Sequence, residues 1–275
     1  MRLVSFNILN GRTLHDHTVD VGVLADAIRA LEPDVLALQE VDRNQHRSGL
    51  ADLTAVAAEA MGAPDHRFVA ALAGSPGATW TAATGREQPE DAAYGIALLS
   101  RYEVAGWEVV RLPVLPTRVP VRFPGQVRPT LVRDEPRVAV AGSVRTPDGE
   151  VTVATTHLSF VRWWNGRQLA HLVRALSGAR RPLLLTGDLN MDLARAERIS
   201  GLQALAAHPT FPADAPVEQL DHVLADPALP ARSEARQMAL SDHRALVVDV
   251  DLAPERAGQQ DVSRRRPAPR RTRGG

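Results

Sequence analysis

An α/β fold is predicted for this chain on two observations. Apolar runs of strand length alternate with helix-period patterns across residues 1–252, and one run after another ends in a polar residue. With 275 residues, 44% of them hydrophobic, a sizeable core can form in one large domain or two small ones.

RLVSFNIL reads as a short buried strand ending at Asn7 and the turn Asn10-Gly11. A helix follows from about Asp20: Val21, Leu24, Ile28 and Leu31 share one face, Asp20 caps the orphan amides, and Pro33 stops it. DVLALQE is a second buried strand, ending in a carboxylate. A helix over Leu53 to Met61 and strands near His66 to Leu72, Tyr94 to Leu99 and Val104 to Arg111 come next. The Gly/Pro/Thr-rich stretch 74–92 between them reads as a long surface loop. Six prolines between 112 and 136 exclude a helix there, so that segment is extended or turning. Its Arg118, Arg122, Arg128 and Arg133 either face a substrate or point to water. Strands Arg137 to Arg145 and Val151 to His157 flank the turn Pro147-Asp148-Gly149, a hairpin signal. Leu169, Leu172, Val173 and Leu176 mark a helix face; PLLLTGD, EQLDHVLA and RALVVDVDL complete the strands. No internal repeat is present.

Composition narrows the chemistry. The absence of cysteine excludes disulfides, thiolate metal sites and a cysteine nucleophile, so any metal must be held by oxygen or imidazole. All 32 basic residues are arginines. The opening MRLVSFNILNG has too short an apolar run for a signal segment or a membrane span, so a cytoplasmic location is expected. From Ala253 onward the Arg/Pro/Gly/Gln composition cannot bury a core, and 253–275 is read as a disordered tail after a catalytic domain at 1–252. That tail holds seven arginines against Glu255 and Asp261, which leaves 25 basic and 30 acidic residues in 1–252. A groove for duplex nucleic acid usually shows a basic surplus, and the folded part has none. RRRPAPRRTR offers charge to RNA, DNA or an anionic membrane surface, but a solubilising end without a dedicated partner is the simpler reading.

Polar residues stand at or just beyond the carboxyl ends of the strands: Asn7, Glu40, His157, Asp188 with Asn190, and Asp221, while Ser241-Asp242-His243 precedes the last one. Loops at one rim of an apolar core are where sites are built. Hydrolysis of a phosphate ester requires a hard cation, a base for water, and donors for the charge that builds on phosphorus. Glu40, Asp188, Asp242 and the amide oxygens of Asn7 and Asn190 are ligands of the kind Mg²⁺ or Mn²⁺ prefers. His157, His243 and Arg137 are the candidate donors.

The strings SFNILN, LALQE, YGIALLSR, EPRVAV, TTHLS, LTGDLN, QLDHV and ALSDHRAL, in this order over about residues 1–250, resemble the endonuclease/exonuclease/phosphatase family of DNase I-like proteins. The resemblance implies a four-layer αββα sandwich of two mixed β-sheets flanked by helices. It also implies a metal site at Glu40, with Asn7 and Asp242 near the same ion, and Mg²⁺ as the cofactor with Mn²⁺ as its substitute. Asp188 resembles the water-activating carboxylate and Asn190 the amide beside it. His243 resembles the histidine that bonds the scissile phosphate, Asp221 the carboxylate that fixes its tautomer, and His157 the second histidine, which stabilises the pentacoordinate phosphorus or protonates the leaving oxygen. Arg137 would hold a phosphate oxygen and Tyr94 would line the pocket as substrate-binding residues.

Leu9 stands where some nucleases of the family have a carboxylate, and no Arg- and aromatic-rich helix or loop is available to enter a DNA groove. The function expected is therefore a phosphodiesterase or phosphatase acting on a small or lipid-derived ester, as a monomer without a transmembrane segment. The alternatives are a DNA or RNA endonuclease or exonuclease, and a binding module for phosphate ligands that has lost turnover. Plainer roles exist for single residues: a lone strand-end Glu is usually solvated, and a lone His is usually a satisfied core residue. His15, His17, His46 and His222 have no catalytic role assigned, and Trp163 and Trp164 are read as packing at a helix start in preference to a substrate platform.

Overall fold

Alternation of side chains along the strands builds the layers in the computed structural model, which describes residues 1–76, 78–121 and 128–252. In chain order the elements begin β1 (Arg2–Asn7), α1 (Val21–Leu31), β2 (Val35–Arg43), α2 (Leu53–Met61), β3 (Asp65–Gly74), β4 (Trp80–Ala82) and β5 (Ala93–Ser100). They continue with β6 (Val104–Arg111), β7 (Arg118–Val121), β8 (Thr130–Arg133), β9 (Val138–Thr146), β10 (Gly149–His157) and α3 (Arg162–Ala175). The last are β11 (Leu183–Asp188), α4 (Leu193–Ser200), β12 (Gln203–Ala204), β13 (Asp221–Asp226), β14 (Ala231–Arg236) and β15 (Ala245–Val250).

One sheet runs β14-β15-β1-β2-β5-β3-β4 and the other β12-β13-β11-β10-β9-β6, while β7 and β8 pair separately. Each large sheet is mixed: β1–β2 and β10–β11 are parallel, and the remaining pairs are antiparallel. Leu3, Val35, Ala37, Ile96 and Leu98 of the first sheet meet Val138, Val140, Val153, Leu184 and Val223 of the second in a central core. The opposite faces carry the helices, with Leu24, Ile28 and Leu53 against Val4, Phe6 and Leu38, and with Leu169, Leu172 and Ala196 against Ala154, Leu185 and Leu224. The expected four-layer αββα sandwich is therefore the fold.

Helix ends follow local chemistry. Asp20, Asp52 and Asp192 accept hydrogen bonds from first-turn amides of α1, α2 and α4, each worth about 1 kcal/mol. Helix α1 ends on the left-handed Glu32, directly before the expected stop at Pro33. The surface loop expected at 74–92 contains the three-residue β4, and the extended segment at 112–136 supplies β7 and β8. Helix α4 and strands β12 and β14 are additions to the elements read from the sequence. The tail at 253–275, together with Arg122, lies outside the described residues. Among the described residues no helix is long and apolar enough to cross a membrane.

Candidate functional site

Strand register brings the chemistry together. In the second sheet His157, Asp188 and Asp221 are lateral neighbours on three adjacent strands, β10, β11 and β13. Asn7 ends β1 beside Gln39 of β2 in the first sheet. Gln39 Nε2 reaches Ser5 Oγ at 3.4 Å and Thr155 Oγ1 of the facing sheet at 3.1 Å, a buried polar floor beneath the site.

Glu40 owes its position to a β-bulge. Leu36 and Leu38 face the helices, so strict alternation would send residue 40 the same way. The register slips between Leu38 and Val41, and Val41 rejoins the helix-facing set. Glu40 takes up the slack in a left-handed conformation, φ 57°, and its carboxylate meets Asn7. Asn190 and Ser241 also have positive φ, 50° and 71°, and such strained residues cluster at functional sites. Next to Asp188, Gly187 has φ 131°, and a Cβ there would stand 1.9 Å from the Thr156 carbonyl oxygen. We predict that Gly187→Ala costs on the order of 3 kcal/mol and lowers Tm by roughly 10 °C; calorimetry showing an unchanged Tm would contradict the close approach of β10 and β11.

Asn7 Nδ2 donates to Glu40 Oε1 at 3.2 Å and to Asp188 Oδ2 at 3.1 Å, joining the two sheets through a half-buried and a buried carboxylate. Its Oδ1 accepts from the Leu9 amide at 3.1 Å. Asp188 also accepts from the Asn190 amide at 3.0 Å, and Asn190 Nδ2 is given to the Leu158 carbonyl. His157 Nε2 lies 3.5 Å and His243 Nε2 3.8 Å from Asp188 Oδ2. His243 Nδ1 is 2.8 Å from Asp221 Oδ2, and its ring packs on Phe211 at 5.0 Å between centroids. Arg137 is buried, 3.5 Å from Glu135, and its Nε has no acceptor among the described residues.

A cavity of about 530 Å³ collects these groups, lined by Glu40, Arg137, His157, Asp188, Asn190 and His243. Tyr94 lines it as well, with Trp80 packed on its ring at 5.7 Å. Asn7 and Asp221 support the lining residues from behind. Asp242 does not line the cavity, but its charge acts on both Glu40 and His243. Arg133 contributes to the wall, whereas Arg118 and Arg128 are exposed. Trp164 packs and donates to the Pro113 carbonyl, as expected of a helix start, while Trp163 is exposed. His222 is buried against the Met191 carbonyl, and His15, His17 and His46 are exposed. Sequence reasoning passed over Arg47, Trp80 and Phe211, which also line the cavity. Asp42, a carboxylate within the buried run just after Glu40, was the available signal for Arg47.

Electrostatics divides these groups into distinct states. Burial pushes the Glu40 carboxyl up, against the Asn7 hydrogen bond, and Asp242 adds to the rise. Burial likewise carries Asp188 up to about 7, with His243 pulling it back. His157 is driven well below its ordinary value by burial and by the positive Arg137 and His243. Burial would lower His243 too, but the charge and hydrogen bond of Asp221, joined by Asp188 and Asp242, carry it up to about 10. Tyr94 is pushed well above its usual range by burial, Glu40 and Glu135.

These shifts set a stability profile in chelator. His243 is raised above the ordinary histidine value of 6.5, so its contribution is full below pH 6.5 and is lost as pH climbs toward about 10. Asp188, raised from 3.8, prefers to stay protonated when folded, so stability falls between pH 3.8 and about 7. Wild-type Tm should therefore decline from pH 6.5 to 9.5 more steeply than that of Asp221→Asn; parallel curves would remove the His243 contribution.

The residues can hold a cation. Half-buried Glu40 and buried Asp188 share one amide donor, and both are pushed toward neutrality, the condition that a hard divalent ion relieves. Asp188, Asp221 and His243 also offer ligand atoms within 4.8 Å of one another, although His243 Nδ1 is already engaged by Asp221. Asn7 turns its NH₂, not its oxygen, toward the carboxylates.

Residues 4–243 match the model of the Endonuclease/Exonuclease/phosphatase family. No curated protein matches the sequence. Among solved structures, an endonuclease/exonuclease/phosphatase from Beutenbergia cavernae is similar with TM-score 0.64 and 24% identity over 92% of this chain and 72% of that one. A mannosyl-6-phosphatase of Bacteroides thetaiotaomicron gives 0.56 and 15% over 91% of this chain and 99% of that one. The human Nocturnin catalytic domain with bound sulfate gives 0.59 and 18% over 91% and 93%. At these identities the three structures share the fold.

Proposed function

Because the chain belongs to the Endonuclease/Exonuclease/phosphatase family, we propose that it is a cytoplasmic, Mg²⁺-dependent hydrolase that cleaves a phosphate ester of a small or lipid-derived molecule. The observation that carries this reading is the meeting of Glu40 and Asp188 on one Asn7 amide, beside a cationic His243 and a buried Arg137 with a free donor.

Asp188 takes the proton from the attacking water. Its carboxyl titrates near 7, where a base is both available and strong enough, and two hydrogen bonds fix its plane. His243, oriented through Nδ1 by Asp221, presents a protonated Nε2 to a non-bridging phosphate oxygen. His157 is held neutral and offers a hydrogen bond to phosphorus-bound oxygen; it becomes a proton source for the leaving oxygen only when a phosphate anion offsets Arg137 and His243. The guanidinium of Arg137, which lines the cavity, binds another oxygen. Glu40 would be the principal holder of the ion, with Asp242 adding charge and Asn7 bridging Glu40 to Asp188. When bound, Mg²⁺ or Mn²⁺ supplies neutralisation of phosphate charge.

A cavity of about 530 Å³ suits a small ester, and the mannosyl-6-phosphatase on the same fold supports including phosphomonoesters. The test is turnover by purified protein with Mg²⁺ of bis-p-nitrophenyl phosphate, p-nitrophenyl phosphate, inositol phosphates, sphingomyelin and plasmid DNA. Release from a small or lipid ester is expected. Cleavage of plasmid alone would transfer the assignment to a nuclease, and binding without any turnover to a ligand-binding module.

A further inference from the structure

Arg47 lines the cavity that holds Glu40, His157, Asp188 and His243, and hydrolysis as derived above gives it no task. It donates Nε and Nη2 to the two carboxylate oxygens of Asp42 at 2.8 and 2.7 Å. Asp42 is fully buried, and this two-point fork fixes the plane of the guanidinium. Nη1 is left over, with no protein acceptor among the described residues. The guanidinium carbon lies 5.5 Å from the Tyr94 ring centroid, and the Trp80 ring, 5.7 Å from that of Tyr94, lines the same cavity. Arg137, the proposed phosphate-binding cation, acts on the same Tyr94 and Glu40, so two guanidiniums line one cavity. One phosphate is already supplied with donors by Arg137, His157 and His243. A second, pre-oriented guanidinium with Nη1 to spare in the same space fits a second anion.

We infer that Arg47 is a specificity-determining residue for an ester whose leaving group carries a further anionic group, a phosphate or a carboxylate, received by Nη1 beside the Tyr94 and Trp80 rings. The inference rests on the phosphate-ester reading of the site. A pair that only braces the 44–52 segment would instead change Tm and weaken every ligand alike.

The test is calorimetric titration of the Asp188→Ala protein, which reads binding apart from turnover, with glucose 6-phosphate, glucose 1,6-bisphosphate and 6-phosphogluconate in Mg²⁺. The expected result is at least about tenfold tighter binding of a doubly anionic ligand than of glucose 6-phosphate, erased by adding Arg47→Ala. Preference for the bisphosphate or for the carboxylate identifies the second group. If Arg47→Ala fails to fold, Arg47→Lys, which keeps the charge but loses the fork, should reduce the preference. Equal affinity for all three ligands, including no binding, or an equal loss for all three on substitution, overturns the inference. Absence of turnover by the wild-type protein on the ester panel would instead sink the hydrolase reading and leave these binding ratios standing.

Discussion

Asp188→Ala is expected to lower kcat by about 10³-fold or more while the fold is retained. The carboxylate is the hub of the site: Asn7 Nδ2 and the Asn190 amide donate to it, and both histidines stand within 3.8 Å of it. The neighbouring groups are poor substitutes for proton removal, because His243 is held protonated, His157 is buried beside the positive Arg137 and His243, and Glu40 is the proposed holder of the ion. Asp188→Asn keeps the shape but not the basicity and should be almost as inactive, which separates loss of a base from loss of a support. A fall of less than tenfold, with circular dichroism unchanged, would assign water activation elsewhere.

Removal of divalent ions should abolish turnover, and Mg²⁺ or Mn²⁺ should restore it. Both carboxyls are raised, by burial above all, so keeping Glu40 and Asp188 ionised beside a phosphate dianion is costly unless a cation intervenes. The same ion should raise Tm at pH 8, where both acids are costly to keep charged. Full activity in EDTA would overturn the metal assignment whatever the substrate proves to be.

How much of this was legible beforehand depended on how strongly burial constrains each residue. β1, β2, β9, β10, β11 and β15 are buried on both faces and read as apolar runs, so their polar ends, Asn7, His157 and Asp188 among them, stood out. Strand β14, ARSEAR, is a largely exposed edge whose only requirement is pairing with β15, and no pattern announces it. Helix α4 has only eight residues, and two of its four apolar ones are alanines, so its Asp192 cap was its clearest sign. Arg47 and Trp80 reach the cavity from a turn and from a three-residue strand, placements that tertiary packing decides. The orientation of Asn7, with NH₂ toward the acids, depends on the Leu9 amide and follows only from coordinates.

The bulge at Glu40 has an evolutionary corollary. A left-handed glutamate in a strand costs about 1 kcal/mol or more that glycine would not incur. Laboratory selection for thermostability alone would therefore drift toward glycine at this position and enrich for well-folded, inactive proteins. The less comfortable residue is the one whose backbone turns the carboxylate out of the strand's regular alternation and toward the facing sheet.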